Sequence, residues 1–201
     1  MLFPKLIHCL ALNYKGVGDD PKKDPLYFIK SPNAYCKSGS KIDYPKDADL
    51  FWTEVELAMV VKKECKNIDS NNAGEFIEGF LVGADLSCKN IYERDHHLAF
   101  SKSRDNFCPV SNQVATVKKD DLLDLKMETY INGRLAQSGN TKDMILNPLE
   151  SFSYVSKITT LNAGDLILTG TPSGWKKNIL RPGDRVKQTI DRVGFLEFSV
   201  K

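Results

Sequence analysis

The sequence predicts an α+β fold that consists mostly of strands and contains few helices. Residues 53–61, TEVELAMVV, alternate in polarity and are rich in β-branched side chains, which is the pattern of a strand with one polar face. Residues 79–87, GFLVGADLS, form a short apolar run, as expected of a buried strand. Apolar residues recur at helical spacing in residues 147–159, and Pro148 suits the first helical position. These segments favour strands as the main elements of the fold.

Further strands are predicted on both sides of these segments. They are separated by turns that contain Gly, Pro, Asn or Asp, and the pair Asn132-Gly133 is typical of a two-residue hairpin turn. The predicted strands are residues 5–12, 26–32 and 165–174, a closing hairpin-like stretch at 181–200, and a turn, strand and hairpin within 121–139.

The remaining segments lack a strand pattern. Two of them have the composition of polar loops, residues 15–24 and 33–50. Residues 72–77 predict the first turns of a helix, with Ser70 or Asn71 as its N-cap. Residues 88–97 are polar and fit either a helix or a mobile loop.

Length and charge are those of an ordinary globular protein. The chain has 201 residues, which suffices for one domain with a substantial core, and we expect residues 1–201 to form a single domain. The net charge is +2, and basic and acidic residues are interspersed. Because there is no basic stripe, nothing favours binding to nucleic acid or to an anionic membrane. No apolar run approaches the roughly 20 residues that span a bilayer.

The cysteines and the N-terminal residues bear on the compartment. The five cysteines are odd in number and show no C-x-x-C spacing, which argues against a disulfide framework and a structural zinc site. Residues 1–14 are interrupted by Pro4, Lys5 and His8 and lack the pattern of a secretory signal. We therefore expect a soluble protein in a reducing compartment, most simply the cytoplasm.

Three carboxylates are the candidate metal ligands. Glu54 and Glu56 share one face of a predicted strand, with Cα atoms roughly 6.6 Å apart, because successive side chains alternate between faces. Asp85 ends the predicted buried strand that follows. Three converging carboxylates suit Mg²⁺, Mn²⁺ or Ca²⁺ rather than zinc. An isolated E-x-E pair is also common on a solvated strand face, so the pair by itself does not identify a metal site.

Eight segments carry a resemblance to a known family across nearly the whole chain. They are Asn13-Tyr14, FIKSP (28–32), EVEL (54–57), GFLVGADLS (79–87), SKSRDNFCPVS (101–111), YINGRLAQSGNTKDMI (130–145), LNAGDLILTGTPSGW (161–175) and LRPGDRV (180–186). In this order they resemble the fumarylacetoacetate hydrolase family, in its single-domain branch of acylpyruvate hydrolases and 2-hydroxyhepta-2,4-diene-1,7-dioate isomerases. The resemblance implies a β-rich mixed roll of stacked sheets with few helices, usually assembled as a homodimer.

The resemblance also implies a site and a substrate class for a single catalytic domain, residues 1–201. Mg²⁺, or alternatively Mn²⁺ or Ca²⁺, would be held by the three carboxylates, and substrates would be 2-oxo or 2,4-dioxo acids. Such an acid chelates a hard cation through its carboxylate and 2-oxo oxygen, and the cation stabilises an enolate. Lys102 matches a lysine that reaches the substrate and would stabilise enolate charge. Thr171, with Gly170 in the same turn, matches the residues that bind the substrate carboxylate.

The chain departs from the family where cleavage needs a general base. Cleaving members carry N-Y-x-x-H-x-x-E, and in residues 13–20 the His position is Val17 and the Glu position is Asp20. Valine cannot accept a proton, so Asp20 is the only titratable candidate left of that pair. A general base typically contributes 10²–10⁴-fold. His96 or His97, between the metal aspartate and Lys102, is a candidate replacement.

A second departure concerns substrate choice. The family often has an arginine shortly after the metal aspartate, and here the residue is Lys89, which keeps the charge but loses a bidentate grip on a carboxylate. Three functions remain open: cleavage of C–C bonds by hydrolysis or decarboxylation, keto–enol tautomerisation or isomerisation without cleavage, and binding of a metal and an oxo acid without turnover.

Overall fold

The computed structural model describes residues 3–17, 24–89 and 95–201. The strands are β1 Ile7–Ala11, β2 Leu26–Lys30, β3 Tyr35–Lys37, β4 Lys41–Ile42, β5 Phe51–Val61, β6 Ile77–Cys88, β7 Cys108–Val110, β8 Lys126–Ile131, β9 Arg134–Asn140, β10 Leu166–Leu168, β11 Arg185–Ile190 and β12 Gly194–Val200. The α-helices are α1 Ala99–Lys102 and α2 Pro148–Ile158. The α+β prediction, with many strands and few helices, is confirmed.

The strands form two sheets. The larger has seven strands in the order β2-β1-β10-β5-β6-β7-β3, and the smaller has five in the order β4-β12-β11-β8-β9. Parallel and antiparallel pairs mix in the larger sheet, since β1 runs parallel to β10 whereas β10 runs antiparallel to β5. Contacts of β5 and β6 with strands β8, β11 and β12 join the two sheets. The mixed, stacked arrangement agrees with the architecture that the resemblance implied.

The antiparallel pair β5 and β6 is the centre of the larger sheet. Its register runs from Phe51 opposite Cys88 to Val60 opposite Gly79. Eleven of the twelve residues of β6 are buried, and the exception is Glu78 at its start. Gly83 allows close packing, because a Cβ atom there would lie 2.7 Å from the Leu168 side chain, which would have to shift.

Helix α2 begins and ends where the sequence predicts. Asn147 is its N-cap and accepts hydrogen bonds from the backbone N–H groups of Leu149 and Glu150, while the Glu150 carboxylate accepts from the Asn147 N–H. This reciprocal capping box satisfies N–H groups that the helix itself leaves unpaired. The apolar face of the helix, including Phe152 and Val155, joins the common hydrophobic core.

Two local predictions differ from the structure. Residues 33–50, expected to be a loop, contain β3 and β4, because each of these short strands pairs with a partner far away in sequence, β7 and β12 respectively. The predicted helix at 72–77 is a 3₁₀ turn, Ala73–Phe76, preceded by Asn72 without a side-chain cap, so the N-cap prediction was wrong. The predictions for residues 15–24 and 88–97 fall partly on 18–23 and 90–94, which lie outside the described residues.

All five cysteines are buried free thiols. Among the described residues, no helix has the length and apolar character needed to cross a membrane.

Candidate metal centre

Three carboxylates converge on one face of the β5–β6 pair. Glu54 lies directly opposite Asp85, and Glu56 lies opposite Gly83, so all three positions point to the same side of the sheet. One oxygen from each carboxylate lies within 4.8 Å of the others. Glu56 and Asp85 are buried, and the Glu54 side chain is 12% exposed. The structure therefore brings together the three predicted metal ligands.

Two lysines contact the carboxylate of Asp85. Lys102 donates to Oδ2 from a distance of 2.5 Å, and the buried Lys30 donates to Oδ1. Burial by itself would raise the pKa of Asp85, but the two ammonium groups outweigh it and hold the pKa below its usual range. Asp85 is therefore a carboxylate anion at neutral pH.

Lys102 is placed by the short helix α1. The Asp95 carboxylate accepts from the N–H and the hydroxyl of Ser101 at 2.6 and 2.8 Å, which fixes the turn that carries Lys102. Its Nζ contacts Oε2 of Glu54 at 3.0 Å and Oγ of Ser87 at 2.7 Å. Burial would lower the pKa of Lys102, but Asp85 and Glu54 outweigh it and raise the pKa above its usual range. Lys102 is thus a fixed cation and not a base.

Of the three carboxylates, Glu56 is the one whose ionised form is disfavoured by its surroundings. Burial, together with repulsion from Asp85 and Glu54, raises its pKa well above the usual range. The backbone N–H of Gly170 donates to its Oε2 at 2.6 Å and partly offsets this effect. Gly170 has φ +91°, and a Cβ atom there would lie 3.1 Å from the Leu10 carbonyl oxygen, so glycine suits both the backbone conformation and the space.

Asn13, in the Asn13-Tyr14 pair, fixes the chain before Gly170. Its amide nitrogen donates to the carbonyl oxygens of Thr169 and Leu146, and its oxygen accepts from the Leu146 N–H. The Thr169 hydroxyl donates to the Leu57 carbonyl oxygen at 2.8 Å. These contacts set where the TGTPSG turn (residues 169–174) leaves β10 and thus where Gly170 meets Glu56.

Thr171 belongs to a buried polar network between the sheets. Its hydroxyl accepts from Nε2 of Gln137 at 3.1 Å, and the same nitrogen donates to the Pro172 carbonyl oxygen at 2.7 Å. The oxygen of Gln137 accepts from Nδ2 of Asn178, which also donates to the Thr53 carbonyl oxygen. The network links the turn to the strand that carries Glu54 and Glu56.

Glu54 is held by two donors. Nε1 of Trp52 donates to its Oε1 at 3.2 Å, and Lys102 donates to its Oε2. Trp52 stacks on Trp175, with ring centroids 5.4 Å apart and an interplanar angle of 29°. An aromatic pair therefore borders the least buried of the three carboxylates.

The donor set fits a hard divalent cation. All three candidate ligands are carboxylates, which Mg²⁺ and Mn²⁺ prefer, and His and Cys are not among them. With all three carboxylates ionised, the two lysines would leave one negative charge uncompensated in a mostly buried place. The raised pKa of Glu56 indicates that a further positive charge would be favourable here.

Comparison with known proteins decides the family. The sequence profile of the fumarylacetoacetate (FAA) hydrolase C-terminal family matches residues 7–201. The chain belongs to this family. It is therefore an enzyme of a family whose members include hydrolases, isomerases and decarboxylases that act on small oxo acids.

Three relatives illustrate the range of this fumarylacetoacetate hydrolase family. The mitochondrial oxaloacetate tautomerase of Arabidopsis thaliana is 31% identical over 203 residues, which cover 97% of this chain and 90% of that protein. The mitochondrial oxaloacetate decarboxylase of Dictyostelium discoideum is 31% identical over 182 residues, covering 88% and 83%. The structure of a 2-hydroxyhepta-2,4-diene-1,7-dioate isomerase from Mycobacterium marinum superposes with a TM-score of 0.90 at 32% identity, covering 99% and 75%.

Two other predicted site residues, Lys89 and His96, lie at the protein surface. Lys89 is exposed, and its Nζ lies 3.6 Å from Oδ2 of Asp49. His96 is exposed and lines a groove of about 850 Å³ whose walls also include Phe28 and Lys30. Those two wall residues contact the site, since the Phe28 ring lies 5.4 Å from Nζ of Lys102 and Lys30 contacts the metal aspartate.

Of the two positions at which the chain departs from the family's His–Glu pair, one lies among the described residues. Val17 is half-buried and packs against the hydrophobic core. Asp20 lies outside the described residues.

Lys30 and Trp52 were missed as site residues by sequence reasoning. Lys30 shares a strand face with Phe28 in FIKSP, and a lysine at an inward position of an apolar strand is the signal that could have found it. Trp52 precedes Glu54 by two residues and so belongs to the same face, which alternation also predicts.

Proposed function

We propose that this protein is a divalent-cation-dependent enzyme that interconverts the keto and enol forms of a 2-oxo acid of the oxaloacetate type. The observation that carries the proposal is the cluster of three carboxylates with the ammonium group of Lys102 fixed against two of them. A relative named an oxaloacetate tautomerase supports this choice of substrate.

Glu54, Glu56 and Asp85 would hold Mg²⁺ or Mn²⁺. When bound there, the cation would supply Lewis-acid polarisation of the 2-oxo group of the substrate. Three protein ligands leave about three of the six octahedral positions for substrate oxygens and water. An all-carboxylate set suits hard cations. Mg²⁺ is therefore the first candidate that we would test, and Ca²⁺ is a further candidate on the same grounds.

Lys102 would stabilise the negative charge that develops when the substrate loses its C3 proton. Its raised pKa keeps it an ammonium group throughout, so it acts by electrostatics and by donating hydrogen bonds. Because it contacts Glu54 and Asp85, it lies beside the oxygens that would bind the cation.

Thr171 would bind the substrate carboxylate through its hydroxyl and N–H groups. The hydroxyl accepts from Gln137, which leaves its own hydrogen free to donate to an anion. The N–H of Gly170 is engaged by Glu56, so Gly170 would shape the carboxylate site by placing Thr171 rather than by donating to the substrate itself. Lys89 is a candidate for a second carboxylate further out.

Tautomerisation is favoured over hydrolysis because it requires no activated water. Val17, at the position where cleaving relatives carry histidine, is half-buried against the core and cannot accept a proton. A proton relay through Asp20 or through His96 in the adjoining groove would suffice for keto–enol exchange.

Decarboxylation of the same substrate class is the second candidate. A relative at 31% identity is named an oxaloacetate decarboxylase. Loss of CO₂ from a 2-oxo acid with a β-carboxylate would leave the enolate of the shortened acid, which is then protonated, and this reaction needs no attacking water. The carboxylate cluster and Lys102 would serve decarboxylation in the same way.

We also propose that the protein acts in the cytoplasm as a homodimer. Its mass in solution tests whether it is a dimer.

The test follows the ultraviolet absorbance of enolised oxaloacetate and acetylpyruvate, with pyruvate measured in the same samples, in Mg²⁺ and in chelator. Mg²⁺-dependent loss of enol without pyruvate supports a tautomerase. Loss of enol with matching pyruvate indicates a cleaving enzyme. Absence of both signals across Mg²⁺ and Mn²⁺ would favour a protein that binds the acid without turnover. The E56Q variant serves as the metal-site control.

A further inference from the structure

Trp52 contacts one of the three candidate metal ligands directly. Its Nε1 donates to Oε1 of Glu54 at 3.2 Å, and both side chains lie on the same face of β5 because they are two residues apart. An indole N–H is a donor only, so it can engage a carboxylate oxygen but not a cation. The other oxygen, Oε2, faces the ammonium group of Lys102 at 3.0 Å.

Of the three carboxylates, Glu54 is the one for which we expect a contact of this kind to matter most. It is the most exposed of the three carboxylates, at 12% for its side chain against 1% for Asp85. Asp85 is held by two lysines, and Glu56 is held by a backbone N–H that cannot rotate away. A glutamate side chain with solvent access keeps rotamer freedom that ligation must remove. The indole N–H reduces this freedom in advance.

Trp52 is itself held by the chain that follows the TGTPSG turn. Its ring stacks on Trp175, the first residue of the 3₁₀ turn Trp175–Lys177. Two further bonds tie this segment to β5: the Asn178 amide donates to the Thr53 carbonyl oxygen at 2.9 Å, and the Thr53 N–H donates to the Asn178 carbonyl oxygen at 3.2 Å. The stack thus connects the strand of Glu54 to the segment that carries Thr171.

We propose that Trp52 is a positioning residue that sets the carboxylate of Glu54 for divalent-cation binding, and that its stack on Trp175 couples the TGTPSG turn to the cation site. The inference rests on the proposed function, since it takes Glu54, Glu56 and Asp85 as the ligands. It adds a residue that acts through Glu54 and does not touch the cation.

The first test compares the variants W52F and W175F with the wild type by calorimetric titration with Mn²⁺ alone. W52F keeps an aromatic ring and removes the N–H group, so Mn²⁺ affinity should fall about tenfold, the lower end of what loss of a partner behind a metal ligand costs. W175F keeps an aromatic face against Trp52 and leaves the N–H bond intact, so it should lose less affinity than W52F. F195L is the matched control, because Phe195 is an exposed aromatic residue outside this contact, and it should retain wild-type affinity.

The second test reads Trp52 itself and does not depend on W52F folding. The chain has two tryptophans, so the emission of W175F comes from Trp52 alone. Saturating Mg²⁺ should change the intensity or maximum of this emission, because the carboxylate that accepts the indole N–H becomes ligated. Adding E54Q to the same background should abolish the response.

The outcomes separate this inference from the proposed function. Wild-type Mn²⁺ affinity in folded W52F, or Trp52 emission in W175F that ignores Mg²⁺ while the protein binds it, overturns the positioning role and leaves the metal-dependent function standing. Failure of the wild type to bind Mg²⁺ or Mn²⁺ at any concentration overturns the proposed metal site and, with it, the role of Trp52.

Discussion

The backbone N–H of Gly170 donates a 2.6 Å hydrogen bond to Oε2 of Glu56. This bond joins the turn after β10 to the middle of β5, two segments more than one hundred residues apart in the chain. It stabilises the ionised form of a carboxylate whose pKa is raised by burial and by its acidic neighbours. The proposed site for the substrate carboxylate and the candidate cation site therefore share a backbone contact.

E56Q should abolish the stabilisation of the protein by Mg²⁺ while leaving the fold intact. The wild type should gain about 2.7 kcal/mol when Mg²⁺ is present at 100 times its dissociation constant. In chelator at neutral pH the variant should be more stable than the wild type. The reason is that the folded-state pKa of Glu56 is raised, so its ionisation costs stability as the pH rises above the ordinary value of 4.5.

Urea unfolding with and without Mg²⁺ measures both effects of E56Q. E78Q is a matched control, because Glu78 is exposed at the start of β6, and it should behave as the wild type. Mg²⁺ stabilisation of E56Q equal to that of the wild type would exclude Glu56 as a ligand.

The three candidate ligands could be predicted because each depends on local pattern. Alternation along residues 53–61 places Glu54 and Glu56 on one face. The apolar strand that follows closely is a natural antiparallel partner for β5, and in the structure its Asp85 lies opposite Glu54. Register itself was not predictable, since it depends on packing such as that of Gly83 against Leu168.

Contacts between distant segments could not be predicted from the sequence. Lys30 meets Asp85 from a strand 55 residues away, and Trp175 stacks on Trp52 from beyond β10. The strand β3 was missed because its only described partner, β7, follows more than seventy residues later. In each case the local sequence does not indicate which distant segment will be the partner, and only the fold decides.

K102M should destabilise the protein in chelator and make it more sensitive to acid. Removing one partner of a buried ion pair costs about 3 kcal/mol. Asp85 has a depressed pKa in the folded state, so its contribution to stability is present above its ordinary value of 3.8 and is lost as the pH falls through the lower folded value. With only Lys30 remaining, this loss should begin at a higher pH.

Urea midpoints between pH 2.5 and 7 check the prediction for K102M. K187M removes a lysine from an exposed pair, with Nζ 3.6 Å from Glu197, and should change stability little. If the urea midpoint of K102M fell with acid over the same pH range as that of the wild type, Lys102 would not control the pKa of Asp85.

T171V should raise the KM for a 2-oxo acid about tenfold or more, because a hydrogen bond to a charged group contributes about 1.5–3 kcal/mol. Gln137 would keep its bond to the Pro172 carbonyl oxygen, and Gly170 would still hold Glu56, so Mg²⁺ affinity should not change. T171S restores the hydroxyl and should restore the KM. Steady-state kinetics and Mg²⁺ titration together measure the effect, and an unchanged KM in T171V would remove Thr171 from the substrate site.

The double variant V17H/D20E should raise C–C cleavage more than tautomerisation, because it installs the histidine and glutamate that cleaving members of the family carry. A general base contributes 10²–10⁴-fold where it is well placed, and Val17 packs against the core, so the gain should be near or below the lower figure, about 10²-fold. Release of pyruvate from acetylpyruvate, relative to loss of enol, measures the change, and V17N/D20E controls for polarity at position 17. A folded double variant that binds Mg²⁺ and releases pyruvate no faster than the wild type would show that this pair does not limit cleavage here.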